Sequence, residues 1–305
     1  MDMTQAVLLT IITAATPLLL AALGELIVER AGVLNLGLEG MMATGAACGF
    51  AAATLSGSTG LGVIVAMLSA MLLASLFGFV TLTLGANQVA SGLALTIVGL
   101  GLSGLIGAGF VGTSRTAVAG LSIEGLSDLP GFGKVIFGQD PFVYSAWALT
   151  LLSIVFLRWT RAGLVLRSVG ENQASAHAIG LPVLKIRYRA VLFGGACAGL
   201  AGAYLSLVYT PFWSPGMTAG RGWIALALVV FASWFPFRLL LGALLFGGAT
   251  VLQLHAQAAS LGLPSQLLSA LPYLATLLAL VLMSLGRRGG SAAPGSLGQS
   301  FVPDR

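Results

Sequence analysis

Charge is what this 305-residue sequence has least of. Lys, Arg, Asp and Glu make up 8% of it, against about 25% in an ordinary soluble domain. Hydrophobic residues make up 57%, and the mean hydropathy is +1.00. Such a chain cannot clothe a water-facing globule, so a soluble domain is excluded. Cysteine is almost missing: Cys48 and Cys197 both fall in apolar runs, which excludes a disulfide framework. His177 and His255 are the only histidines, with no HExxH helix and no CxxC, so no metal-site spacing exists. His255, between Gln253 and Gln257, reads as a satisfied polar residue of a helix, and His177 as a surface residue. The phosphate loop GxxxxGK[ST] is also missing. Gly133-Lys134 is followed by Val135 and lacks the upstream glycine, so ATP is not bound by that route.

What is present is a series of apolar runs of the length that crosses a bilayer, about 20 residues. Nine candidate spans can be marked, at 6–24, 33–53, 61–84, 89–111, 142–160, 190–209, 223–236, 239–256 and 266–285. The runs are continuous rather than alternating, which predicts helices and not a barrel. The expected fold is an all-α polytopic membrane protein with about nine (8–10) transmembrane helices and a short cytoplasmic helix. Residues 1–288 read as one transmembrane domain, with a loop at 158–189, and 289–305 as a flexible cytoplasmic tail rich in Gly, Ser, Ala and Pro. Met1 to Gln5 carry no basic residue, so the first span is expected to serve as its own insertion signal. The seventh run is short and predicts a half-helix of the kind that lines transport pathways.

The segment Arg158 to Arg189 holds six of the fourteen basic residues and one acid, Glu171. Positive residues beside spans stay in the cytoplasm. With nine spans, that places the N-terminus outside and the C-terminus inside. Eleven basic residues then face the cytoplasm, and three (Arg115, Lys134 and Arg221) face out. This asymmetry accounts for the net charge of +5 without a nucleic-acid partner. Within the loop, Glu171 to Ile179 has helix-forming composition and meets a terminator at Gly180-Leu181-Pro182. A short helix with small residues at the membrane surface suits contact with a cytoplasmic protein.

Polar residues inside the runs are the other candidates. Asn35, Glu39 and Met42 are spaced to share one helical face. A carboxylate at that depth must face protein, water or a partner, so Glu39 either borders a polar path or pairs with a neighbour or caps a helix. Asn87, Gln88 and Ser91 open the fourth run, as a cap or as path lining. Glu39 is the one carboxylate that reads as inside a span, with no acid, Lys or His at partner spacing, which excludes an intramembrane enzyme. Gly195-xxx-Gly199 and Ala198-xxx-Gly202 form small-residue faces for close helix packing.

Four segments in order, ERAGVLNLGLEGMM (29–42), NQVASGLAL (87–95), VGENQASAHAIGL (169–181) and GRGWIALALVVFASWFP (220–236), carry a resemblance. They resemble the permease subunits of ABC importers of the ribose/nucleoside/branched-chain amino-acid superfamily, nearest to the nucleoside-type branch linked to lipoprotein receptors. The tail segment GQSFVP is similar to that branch as well. The resemblance implies a transport subunit, not an enzyme, that works with an ABC ATPase, a second and paralogous permease, an extracytoplasmic binding lipoprotein and the lipid bilayer. The chain itself would hold no cofactor, ATP and Mg being bound by the ATPase. The solute implied is a nucleoside or a related purine- or sugar-containing compound. The alternatives are a ribose-type or branched-chain amino-acid permease and, outside the family, a self-sufficient secondary transporter. The localisation implied is a bacterial inner membrane. The family's EAA-xxx-G signature falls on Ala174-Ser175-Ala176 and Gly180, with alanine where the glutamate belongs, so Glu171 is the candidate to supply the charge. Arg167, Glu171, Ala174, Ser175, Ala176 and Gly180 are thereby the candidate ATPase-coupling residues, and Asn35, Glu39, Asn87, Gln88 and Ser91 the candidate pathway. Loops 112–141 and 210–222 are the candidate docking face for the binding protein.

Overall fold

The computed structural model describes residues 3–121, 125–127, 133–258 and 293–302, with isolated positions at 266, 267, 270, 274, 278 and 281. The described residues are helical and irregular, with one isolated antiparallel bridge, Ser114 to Phe212. The helices are α1 (Met3–Arg30), α2 (Leu38–Ser56), α3 (Thr59–Gly78), α4 (Gln88–Gly107), α5 (Gly133–Phe137), α6 (Pro141–Trp159), α7 (Arg161–Glu171), α8 (Gln173–Ala178), α9 (Val183–Tyr204), α10 (Arg221–Phe231) and α11 (Pro236–Ala258). Helices α3 and α9 each run on into a π-helical turn, Phe79–Thr83 and Leu205–Tyr209.

Six of these, α1, α3, α4, α6, α9 and α11, are long and apolar enough to cross a membrane. The described residues thus hold six such helices against the expected count of about nine. The run at 33–53 became α2, whose 19 residues are mostly Ala, Gly and Thr with Glu39 in the first turn, so its hydropathy falls short. It is enclosed by α3, α4 and α9, and a helix so surrounded need not be apolar. The run at 223–236 became α10, only 11 residues. The ninth expected span, 266–285, lies outside the described residues apart from isolated positions.

Packing around α9 is set by glycine. A Cβ on Gly199 would overlap the backbone of Ala66 in α3, and one on Gly202 that of Met42 in α2. A Cβ on Gly195 would lie 2.5 Å from Ala74 Cβ. Backbone-to-backbone approach replaces the hydrophobic effect as the driving force here, since lipid is as apolar as leucine. Helix α1 carries Pro17 in its interior, which cannot donate to the carbonyl of Thr13. The Tyr204 hydroxyl donates to that carbonyl at 3.3 Å, so the freed acceptor is satisfied from α9.

Candidate functional site

One end of the molecule is built around α7 and α8. The Thr160 hydroxyl accepts from Gly163 N–H at 3.0 Å to start α7, and Asn172 Oδ1 accepts from Ser175 N–H at 2.9 Å to start α8. Both are side-chain caps that replace missing intrahelical partners. The helix expected over Glu171 to Ile179 is thus split, with Glu171 closing α7 and Gln173–Ala178 forming α8. It ends as the sequence predicts. Gly180 takes φ +84°, which a residue with a Cβ rarely adopts. Gly180 N–H donates to His177 O at 2.8 Å and Leu181 N–H to Ala176 O at 3.0 Å.

The candidate coupling residues do not share one surface. Glu171, Ala174, Ser175 and Gly180 are exposed, and Ile179 beside them is 75% exposed. Ala176 instead points inward, 3% exposed, and packs with Val169 and Val183. Its expected place on a partner-facing surface is corrected. Helix periodicity explains this: α8 is held to α7 and α9 by one residue per turn, and Ala176 is that residue. Arg167 lines a recess of about 260 Å³ with Arg30, Ser168, Glu171 and Pro294, and its Nε has no partner among the described residues.

Residues 293–302 depart from the flexible tail expected. They lie as a strap across this end. Ser296 N–H donates to Gly170 O at 2.8 Å, and Gly298 N–H to Gly32 O at 3.3 Å. Gln173 N–H donates to Ser296 Oγ at 3.1 Å and Gln173 Nε2 to Ser300 O at 3.3 Å, which ties the start of α8 to the strap. The carbonyl of Gln299 accepts from Gln88 Nε2 at 3.3 Å and from Arg187 Nη1 at 3.2 Å. Phe301 meets the His177 ring edge to face at 5.3 Å.

Three buried ionisable side chains went unseen in the sequence. Helix α1 continues through Glu25 and Glu29 to Arg30, and both carboxylates are buried. Glu25 Oε1 accepts from Asn35 N–H at 3.1 Å, and Glu29 Oε2 from the Trp234 indole at 2.6 Å. Arg187 is 0% exposed within α9, donating from Nε to Ala31 O at 3.1 Å. Ending the first span at residue 24 hid the acids, although their i, i+4 spacing keeps the phase of the apolar run before them.

Deeper in the bundle, the polar candidates hold irregular backbone in place. Asn35 precedes α2 rather than sharing its face with Glu39, and its Oδ1 accepts from Gly37 N–H at 3.0 Å. The chain from 31 to 37 climbs along α4: Leu34 N–H donates to Gln88 Oε1 at 2.8 Å, and Thr96 Oγ1 donates to Leu36 O at 2.9 Å. Gln88 to Thr96 is about 12 Å of helix, so α2 begins well inside the bundle. Asn87 is the cap of α4, accepting from Ala90 N–H at 3.0 Å, and Ser91 sits half-buried in the first turn.

Glu39 is the pivot. Its two carboxylate oxygens accept from Gly220 N–H at 2.9 Å and Gly222 N–H at 2.6 Å. These amides open α10, so the carboxylate caps a half-helix that starts at depth. Of the two readings left open by the sequence, the hydrogen bonds are those of a cap. Gly222 permits the approach, since a Cβ there would lie 2.5 Å from Glu39 Cα. Helix α10 runs back toward the α8 end, where Ser233 and Trp234 both take positive φ, at 54° and 59°. Arg30 Nη2 donates to Trp234 O at 2.9 Å, which with the Glu29 contact holds that strained turn.

At the opposite end, the two loops expected to dock a binding protein meet. Ser114 pairs with Phe212, and Arg115 N–H donates to Pro211 O at 2.9 Å. From there residues 213–220 descend into the bundle to reach Glu39, so Arg221, expected to face out, lies at the start of the buried half-helix with its guanidinium over the Tyr209 ring.

Comparison with known proteins gives this architecture a family. Residues 7–285 match the model of the branched-chain amino acid transport system permease component. The chain is 33% identical over 323 aligned residues to the guanosine ABC transporter permease of Bacillus subtilis, covering 99% of each. It is 30% identical over 314 to the nucleoside ABC transporter permease of Lactococcus lactis, covering 99% of this chain and 98% of the other. It is 47% identical over 256 to a candidate glucose ABC transporter permease of Haloferax volcanii, covering 83% and 78%. The chain belongs to the branched-chain amino acid transport permease family and is a multi-pass membrane permease of an ABC importer.

Proposed function

We propose that this permease carries nucleosides inward across a bacterial cytoplasmic membrane, powered by a separate ATPase that docks on α8. The observation that carries the solute class is the match to the guanosine and nucleoside permeases over 99% of this chain. The coupling reading rests on the exposed face Ala174, Ser175 and Ile179, on a helix fixed at both ends. ATP and Mg belong to that ATPase. A second, paralogous permease and an extracytoplasmic binding lipoprotein complete the assembly, the lipoprotein docking at the loops joined by Ser114 and Phe212. The N-terminus lies outside and the C-terminus inside, in keeping with six basic residues around α7 and α8.

Reconstitution with its ATPase, second permease and lipoprotein tests this, with uptake of radiolabelled guanosine and glucose compared. ATP-dependent guanosine uptake is expected, and loss of ATPase co-purification in Ser175→Arg with the membrane-inserted chain intact. A cysteine at Ser175 should label only from the cytoplasm and one at the exposed Thr116 only from outside. The second reading, a sugar permease, is favoured by the 47% identity to the Haloferax protein. Glucose uptake without guanosine uptake would select it.

A further inference from the structure

A cavity of about 290 Å³ lies between α2, α4 and the descending loop, lined by Ala43, Leu100, Ser103, Trp213, Met217 and Thr218 among others. Its volume is near the lower bound of small-molecule sites, about 300 Å³. None of its lining residues carries a formal charge. Two of them are buried polar groups without a protein partner among the described residues: the indole N–H of Trp213, 2% exposed, and the hydroxyl of Thr218, 1% exposed. Ser103, 6% exposed, adds a second hydroxyl from α4. Buried donors are normally satisfied, so two orphans on residues that line one cavity call for an occupant.

The surroundings are built to keep this cavity open. The Trp213 indole seats against bare backbone at Gly107, where any Cβ would overlap the ring. The loop turns through Gly216 at φ +70°, Ala219 at +47° and Gly220 at +79°, and is pinned below by Glu39. Irregular backbone at membrane depth is tolerated where it is buried in protein or lines a cavity. The cavity also lies on the line between the outer loop junction and the N-terminus of α10.

We infer that this cavity is a solute subsite that takes the neutral, hydroxylated sugar ring of the transported nucleoside. Trp213 N–H donates to a ring hydroxyl oxygen, Thr218 and Ser103 exchange hydrogen bonds with further hydroxyls, and Leu100 and Met217 cover the apolar face. The lack of charge matches a neutral solute. This inference rests on the nucleoside reading and adds a location to it.

The test uses the complete transporter in proteoliposomes, with Cys48 and Cys197 replaced by Ala and Ser103→Cys introduced. A small thiol reagent should label this cysteine, and millimolar guanosine should slow the labelling. Adding Thr218→Val, which removes one hydroxyl at nearly constant volume, or Trp213→Phe, which removes the indole N–H together with part of the ring, should raise the half-protecting guanosine concentration about five- to tenfold. In transport, wild type should prefer guanosine over its 2′- and 3′-deoxy analogues, and Thr218→Val should narrow that preference. Labelling that guanosine leaves unchanged, in a transporter that still imports guanosine, would overturn the subsite and leave a water-filled void. A transporter that imports glucose and no nucleoside overturns the functional reading instead, and protection by glucose would then keep the subsite.

Discussion

Glu39 offers the sharpest test of how the half-helix is held. Two amides at the start of α10, those of Gly220 and Gly222, donate to its carboxylate at 2.9 and 2.6 Å, and the Glu39 side chain is buried. Each such charge-assisted bond contributes about 1.5–3 kcal/mol. Glu39→Leu removes both acceptors and strands two buried N–H groups, a cost of about 3–6 kcal/mol. Glu39→Gln keeps one acceptor oxygen but sets an amide NH₂ against the second donor, so it costs about 2–3 kcal/mol. For a chain of this size the leucine variant should unfold on the order of 10 °C earlier, and the glutamine variant less than half as much earlier. The assay is thermal unfolding in detergent, followed by size-exclusion fluorescence, alongside uptake in proteoliposomes. Uptake should fall in the same order, because the cap also sets the lower end of the descending loop. Leucine and glutamine variants that melt and transport like wild type would refute the capping argument.

Two other outcomes follow from the α8 end. Ala176→Arg forces a guanidinium between Val169 and Val183, so it should lower the melting temperature and the yield of folded protein, whereas the exposed Ser175→Arg should leave both unchanged. Deleting residues 293–305 removes the acceptor of Arg187 Nη1 and Gln88 Nε2 and the partners of Gln173. Protease should then cut near α8 at least tenfold faster than in the full chain while the transmembrane core stays intact.

The helical class and the positions of most helices were legible because lipid demands long apolar runs. The terminator at Gly180 and the cap at Asn87 were legible because each is a local rule. Other features depend on partners distant in sequence. Glu29 and Arg187 could be kept only because Trp234, Ala31 and Gln299 receive them, and no short window of sequence contains those pairs, whereas Glu25 is received by Asn35 only ten residues on. The same reason hid Ala176: its small size reads as an invitation to a partner, while in the fold it is the contact that seats α8. The short seventh run did signal a half-helix, but its start on Glu39 came from a residue 181 positions away. The tail misled because Gly, Ser and Pro also suit a strap held by its backbone, whose Ser296 and Gly298 amides and Gln299 and Ser300 carbonyls bond to the body of the protein.

The strap also bears on the order in which this protein becomes usable. Its residues follow every described helix in the chain, so α8 receives its fastening only after those helices have been made. A chain stopped before residue 293 would insert its early helices yet leave the start of α8 unfastened. The exposed surface at α8 is thereby completed only by chain that lies beyond the described membrane helices.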